Sequence, residues 1–425
     1  MSQRLPNDPA DYTPFFSYRD NALCCEGVSL SSIAEQALTP IYIYSRASIL
    51  AAFRGFGHAF RAVPHTICYA VKANSNLSLL RLLARAGSSF DIVSGGELYR
   101  LLQIGVSGRR IVFSGVGKSR EEIREALRAR ILLFNVEAES ELELLAEEAA
   151  RVRRPAPAAL RLNPDVGGGG HPHISTGSHQ HKFGIGWDDA MALYTAKVQS
   201  PWISWRGLST HIGSQILSLA PFRRAVGRIA SFVRLLQSSG VGLSFIDFGG
   251  GLGVRYTSEN PPTAEQYAKI VIRKLGPLGC RLLLEPGRAI VGPAGILLTR
   301  VLHLKRSYSK TFIIVDAAMN DFIRPALYDA IHPVTPVVRN AGKTLRADIV
   351  GPVCETGDAF LHDWPIQTVQ PGDLLALWGT GAYGFIQASN YNSRPRPAEV
   401  LVNGKVFSTI RRRESNRDLI REELR

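Results

Sequence analysis

TICYAVKANSNLSLLRLLARAGSSFDI, Thr66 to Ile92, contains a short apolar run, a helical stretch and a second apolar run. Thr66–Val71 is short enough for a buried strand, Leu77–Ala86 repeats its leucines at helical spacing, and Phe90–Ile92 begins the next strand. Strands joined by a helix run parallel and need cover on both faces. Working outward, the same alternation extends from about Ile41 to Ile290. Strands are expected at Ile41–Tyr44, Thr66–Val71, Phe90–Ile92, Arg110–Phe113, Leu132–Asn135, Ala159–Leu162, Gly207–Ser209, Phe245–Phe248 and Arg281–Glu285. The helices between them are expected at Leu77–Ala86, Gly96–Ile104, Arg120–Ala129, Ser140–Ala150, Ala220–Gln237 and Ala264–Leu275. About eight such units in roughly 250 residues is the size of a (β/α)8 barrel, with a doubly wound sheet as the alternative.

After Ile290 the texture changes. VLHLKRSYSKTFIIVDAAM, RADIVGPVC and DLLALWGTGAY are β-rich and parted by Gly and Pro, so residues 291–425 read as a separate β domain beside the 41–290 barrel. Residues 1–40 are too few for a domain and are expected to add a strand to that C-terminal unit. The GGGG run, Gly167 to Gly170, cannot hold a regular element and marks a loop.

The chain has 425 residues, 45% of them hydrophobic, enough for a large core in two units. Its +14 formal charge is spread along the chain rather than gathered in a patch, which disfavours nucleic acid and suits small anions. Five scattered cysteines without a CxxC pair give neither a disulfide framework nor a metal site, so reduced thiols and no metal are expected. The N-terminal residues lack an apolar signal core, and no window is long and apolar enough for a bilayer. A cytoplasmic protein that does not bind membranes is expected.

Chemistry-bearing residues gather at the ends of the expected strands. YAVKAN puts Lys72 at a strand end, where a partly desolvated amine can form a Schiff base; taken alone, a solvated lysine is the favoured reading. HIGSQ offers His211 to lie on a flat ring and Ser214 to meet a phosphate. SFIDFGGGLG places Gly249, Gly250 and Gly251 after another strand, where backbone amides can approach a phosphate. Nucleotide fingerprints fail: Val254 takes the last glycine position of GxGxxG, and Val112 stands where a P-loop ending in Gly117–Ser119 needs glycine. LLLEPGRAI then brings Glu285, which could keep a pyridine nitrogen protonated, and Arg288, which could pair with a carboxylate or phosphate. Lysine, histidine, glycines, glutamate and arginine at successive strand ends of one barrel point to one site.

In this order, YAVKAN, HIGSQ, DFGGG and EPGR resemble the fold-type III pyridoxal-phosphate decarboxylases, and diaminopimelate decarboxylase in particular. The likeness continues through FDIVSGGEL, FSGVGKSREEI, RLNPDV, HPHISTG, KFGIG, DAAMNDFIRPALYDAIH, GPVCETGD and GAYGFIQASNYNSRPRPAEVL, covering nearly everything beyond residue 40. It implies an alanine-racemase-like barrel with a C-terminal β domain, pyridoxal 5'-phosphate as cofactor, and a homodimer whose active sites are shared between subunits. It also implies roles: Lys72 for the Schiff base, His211 stacked on the ring, Glu285 at the pyridine nitrogen. The phosphate region would fall to Ser214, Gly249 to Gly251, Glu285, Pro286, Gly287, Arg288 and Tyr383. Arg288, Arg324, Tyr328, Glu355 and Tyr383 would contact substrate. Cys354 would return a proton, and it and Glu355 would come from the partner. The implied reaction is decarboxylation of meso-diaminopimelate to L-lysine, with ornithine, arginine or a carboxylated polyamine as alternative substrates on the same fold. Arg324, followed by a proline that fixes the local backbone, suits a second, distal carboxylate. The SHQH stretch, Ser178 to His181, departs from the family pattern.

Overall fold

A computed structural model describes residues 8–11, 13–166, 182–196 and 200–424, so the expectations for GGGG, HPHISTG and SHQH lie outside the described residues. The chain divides into two units, one comprising Phe53–Gly253 with Asn260–Ala289, the other the chain up to Ala52, Val254–Glu259 and everything from Ile290.

The first unit is a closed barrel of eight parallel strands. They are β1 (His65–Ala70), β2 (Ser89–Ile92), β3 (Ile111–Phe113), β4 (Leu133–Val136), β5 (Ala156–Arg161), β6 (Ile203–Ser209), β7 (Phe245–Asp247) and β8 (Arg281–Leu284). β8 pairs with β1 through Leu282↔His65, Leu283↔Thr66 and Leu284↔Ile67, which closes the ring. Cys68, Val112, Leu133, Ala159 and Leu283, from alternate positions on different strands, pack together inside it. The covering helices follow from sequence. Arg120–Ala129 buries Ile123, Ala126 and Leu127, three positions at i, i+3 and i+4, and starts from a capping box between Ser119 and Glu122. Ala264–Leu275 repeats the device with Thr263 and Gln266. Between β5 and β6 the register shifts at Trp205/Gly207, leaving Arg206 as an extra residue in the ladder. Buried Tyr194 bridges the neighbouring backbone, its hydroxyl donating to Gly207 O at 2.6 Å and accepting from Leu160 N at 2.9 Å.

The second unit is built on a nine-stranded sheet. Along it run Ala359–Gln367, Thr344–Val350, Lys310–Val315, Gly295–Ser307, Ile41–Ser45, Ala398–Asn403 and Val406–Arg411. Leu374–Leu377 pairs with both Gly295–Ser307 and Val334–Pro336. Phe16–Arg19, Ala22–Cys25 and Val28–Ser29 form a small sheet of their own. Leu23, Ile33, Ile43, Ile296, Leu298, Ala376, Trp378 and Val400 share the core.

One strand lies elsewhere than expected. Ile41–Ser45 is not a barrel strand: it pairs antiparallel with Gly295–Leu298 and parallel with Ala398–Val402. It is buried at every position, like a barrel strand, so periodicity cannot tell the two sheets apart. The other eight expected strands are the eight of the barrel.

Asp321 is buried in the second unit, where its carboxylate accepts from Ala318 N at 2.9 Å and Asn320 Nδ2 at 3.0 Å. Burial pushes its pKa up from 3.8 to about 7. A raised carboxyl pKa stabilises the fold fully below the unfolded value, and that contribution is lost as pH rises toward the folded one. Urea unfolding should therefore show wild type losing on the order of 4 kcal/mol more than Asp321→Asn between about pH 4 and pH 8. Equal losses in the two proteins would refute this account.

Candidate active site

In the barrel unit every expected site residue lies at the C-terminal end of the strands. Lys72 follows β1 in a short turn, Val71–Ala73, and its Nζ donates to Asp91 of β2 at 2.8 Å. The lysine side chain is 35% exposed while Asp91 is fully buried, so the amine is held from below and reachable from above. The strand-end lysine is thus an ion pair rather than an isolated desolvated amine.

His211, beyond β6, is half-buried, and its Nδ1 accepts from Gly250 N–H at 3.2 Å. Burial first, then the charges of Arg161 and Lys72, hold its pKa well below the ordinary value, so the ring is neutral. Gly250 N–H serves this histidine and Gly249 N–H donates to Asp247 at 3.0 Å, so two of the three amides expected to face a phosphate already have protein acceptors. The glycines are required by close packing. A Cβ on Gly250 would lie 2.3 Å from Glu285 O, and one on Gly251 2.4 Å from Gly213 O.

Ser214 accepts from Arg288, with Oγ 3.1 Å from Nη2 and 3.3 Å from Nε. Arg288 is buried at the start of a four-residue helical turn, Arg288–Val291. Pro286 O accepts from Ala70 N at 3.3 Å, and a Cβ on Gly287 would meet Ala73 Cβ at 2.9 Å and Ala70 Cβ at 3.1 Å. Only glycine lets the Glu285–Arg288 turn lie this close to the turn that carries Lys72.

Beneath them Glu285 and Asp247 form a buried carboxyl pair. Burial and the Asp247 charge push the Glu285 carboxyl well above its usual range. Asp247 accepts from Asn135 Nδ2 at 2.7 Å and from Gly249 N at 3.0 Å, which fixes the negative charge there and leaves the proton with Glu285. Ser114 Oγ donates to Glu285 at 3.4 Å and accepts from Asn135 at 3.0 Å. Arg161, at the end of β5, pairs with Glu137 at 2.8 Å.

The β-rich unit holds the remaining expected residues. Arg324 opens the short helix Arg324–Tyr328 and is buried. Its Nε donates to His332 Nε2 at 3.2 Å, and His332 Nδ1 donates to Trp378 O at 2.8 Å, so that imidazole is neutral and its tautomer set. The Arg324 guanidinium lies 5.6 Å from the Tyr328 ring centre and 6.0 Å from those of Tyr256 and Tyr383. Tyr383 has a left-handed backbone, φ 57°. Cys354 and Glu355 sit on an exposed tip, and Cys354 is the one exposed cysteine of the five. Cys354 N–H donates to Asn392 Oδ1 at 3.2 Å, and Tyr391 OH donates to Glu355 at 2.7 Å. Among the described residues no group of acids, histidines and cysteines could hold a metal.

Sequence reasoning missed Asp91, Asn135, Asp247, Arg161, Tyr391 and Asn392 as parts of these clusters. Asn135 and Asp247 do carry a signal, since each is the one polar residue of its strand, and Asp91 is the one charged residue of β2. Tyr391 and Asn392 act across sequence on a tip more than thirty residues earlier, and nothing local announces that.

The donor set suits pyridoxal phosphate: an exposed amine, a neutral ring, a buried carboxyl acid, and a serine–arginine pair. Asp91 Oδ1, Asn135 Oδ1 and Glu137 Oε2, all buried, have no hydrogen-bond partner among the described residues, which leaves acceptors at this end of the barrel.

Comparison with known proteins agrees with this chemistry. The pyridoxal binding domain of the pyridoxal-dependent decarboxylases matches residues 46–292. Diaminopimelate decarboxylase of Pseudomonas aeruginosa is 49% identical over 95% of this chain and 97% of its own length. The crystal structure of diaminopimelate decarboxylase from Helicobacter pylori complexed with L-lysine matches at 41% identity and TM-score 0.89, over 92% of this chain and 98% of that one. That of the M. jannaschii enzyme in complex with L-lysine matches at 35% identity and TM-score 0.92, over 97% and 98%.

The carboxyl pair gives a direct test. Asp247→Asn removes the like charge that keeps the proton on Glu285, so the infrared carbonyl band of the buried acid should titrate at lower pH in the variant than in wild type. A band that does not move would show that Asp247 does not govern Glu285.

Proposed function

The chain belongs to the pyridoxal-dependent decarboxylases and, within them, to the diaminopimelate decarboxylase family, and we propose the roles that its residues take in the decarboxylation of meso-2,6-diaminopimelate to L-lysine and carbon dioxide. Bound pyridoxal phosphate supplies an electron sink for the pair left behind when carbon dioxide departs. Lys72 would offer the amine that holds it, Asp91 would keep that amine in place, and neutral His211 would face its ring. Glu285 and Asp247 together carry one proton and one charge, so the pair can hold a protonated pyridine nitrogen without placing two charges in the core. Ser214, Arg288 and the Gly251 amide would take the phosphate.

The observation that carries the substrate reading is Arg324. A guanidinium fixed by His332 and bordered by three tyrosines is oriented for bidentate capture of a distal carboxylate. A diamine precursor would bring a cation to the same place and be repelled. Glu355, held by Tyr391, suits the substrate's distal ammonium, and Tyr328 borders the same group. Cys354 Sγ carries the proton returned to the substrate carbon. Cys354 and Glu355 stand exposed on their own chain, which supports a homodimer in which each chain completes the other's site. Among the described residues no helix is long and apolar enough to cross a membrane, and the reading places the enzyme in the cytoplasm.

Purified protein with pyridoxal phosphate should release lysine and carbon dioxide from meso-diaminopimelate, and Lys72→Ala should release neither. Turnover of L-ornithine or L-arginine at a comparable rate would overturn the substrate reading. Subunit sharing predicts complementation: separately inactive Lys72→Ala and Cys354→Ala chains, mixed and reassociated, should recover up to about a quarter of wild-type activity, because half of the random dimers hold one intact site. An inactive mixture containing demonstrated heterodimers would exclude sharing. Tyr391→Phe should raise KM by roughly ten-fold with little loss of kcat, since it loosens Glu355 without touching the proton donor.

A further inference from the structure

The N-terminal mouth of the barrel, opposite the strand ends that carry Lys72 and Glu285, gathers four arginines around one hollow of about 460 Å³. Arg109 precedes β3, Arg130 precedes β4, Arg154 precedes β5 and Arg206 lies in β6, so four neighbouring segments of the ring each contribute one. Pro157 and Phe245 add apolar, half-buried surface. No acidic side chain is among the lining residues.

Other arginines of the same barrel have visible structural work. Arg110 donates to Ser88 O and Ala84 O, while Arg120 and Arg124 both pair with the buried Glu148. Among the described residues none of the four has a side-chain hydrogen bond or an ion pair. Two of the four also sit at backbone irregularities. Arg130 adopts a left-handed φ of 58°, which a residue with a Cβ resists, and Arg206 is the extra residue at the β5–β6 register shift. Four like charges brought together, with no carboxylate between them, create a local positive field for a compact anion.

We propose that this hollow binds a small polyphosphate anion with a flat apolar group, of the nucleoside triphosphate class. Four guanidinium groups match the charge of about four on a triphosphate, and planar forks suit phosphate oxygens better than point charges do. The volume falls in the range of ligand sites, about 300–1,000 Å³. Pro157 and Phe245 give the ring a surface to lie on. The site is independent of the decarboxylase reading, because it uses none of the residues assigned to that reaction.

The test is isothermal titration of the pyridoxal-phosphate-loaded enzyme with ATP, tripolyphosphate and adenosine, in buffer free of divalent cations. Loading with cofactor keeps the probes from the other phosphate site. ATP should bind saturably, one per chain, with tripolyphosphate weaker and adenosine weaker still. Arg109→Gln/Arg206→Gln should weaken ATP by at least about ten-fold, while Arg120→Gln, on the outer helices, should not. Both substituted arginines are exposed, so the double variant should fold and keep wild-type decarboxylase activity. Absence of saturable binding, or equal affinity in the double variant, would overturn the site. Tripolyphosphate binding as tightly as ATP would overturn the nucleotide assignment.

Discussion

The pairing of β8 with β1 is the constraint on which the rest depends. Strands distant in sequence, Arg281–Leu284 and His65–Ala70, become neighbours when the barrel closes. Their C-terminal ends then continue into the turns that hold Glu285 and Lys72. Gly287 sits against Ala70 and Ala73, so a side chain there would push the turns apart. Closing the ring and bringing Lys72 near Glu285 are one event, because no single segment contains both the amine and the carboxyl acid.

Closure also decides the electrostatics. Asp91 of β2, Asp247 of β7 and Glu285, just after β8, lie on either side of the β8–β1 junction, and their carboxyls are drawn into a dry interior. Three buried carboxylates would repel strongly; instead Lys72 neutralises Asp91, Asn135 and a glycine amide hold the charge of Asp247, and Glu285 keeps a proton. Each solution uses a residue from a different strand. The same interior that makes isolated charges costly thereby yields a paired amine and a neutral acid beside a neutral imidazole, three protonation states that free side chains would not share in water.

Much of this is legible in sequence because strand ends are. In a parallel barrel the polar residue after an apolar run falls at the catalytic end, so sequence alone groups Lys72, His211, Glu285 and the glycines. The limits are equally physical. Ile41–Ser45 has the buried texture of a barrel strand, yet antiparallel partners at Gly295–Leu298 claim it, and pairing across 250 residues leaves no local trace. Asn135 and Asp247 were overlooked because a polar residue inside a short strand looks like noise until its neighbour across the barrel is known. Tyr391 was missed for a similar reason, since its partner Glu355 is fixed by a loop rather than by an element.

In the proposed reading, with Arg324 meeting the distal carboxylate, substrate choice rests on rigidity more than on charge. An exposed arginine would attract any anion, and a flexible one would lose entropy on binding it. Arg324 has already lost that freedom: proline follows it, His332 accepts from its Nε, and His332 is itself pinned by Trp378 O. The ordering is met by folding of the β-rich unit, not by substrate. A neutral histidine matters here as well, because a protonated one could accept nothing from Arg324 and would add a second positive charge beside it. The chain Trp378–His332–Arg324 therefore converts a backbone carbonyl deep in the sheet into a fixed direction for a guanidinium. On the proposed role of Arg324, selectivity for a substrate with a carboxylate at each end follows from that direction, since a substrate whose distal end carries an ammonium and no carboxylate would leave the fixed charge unmatched.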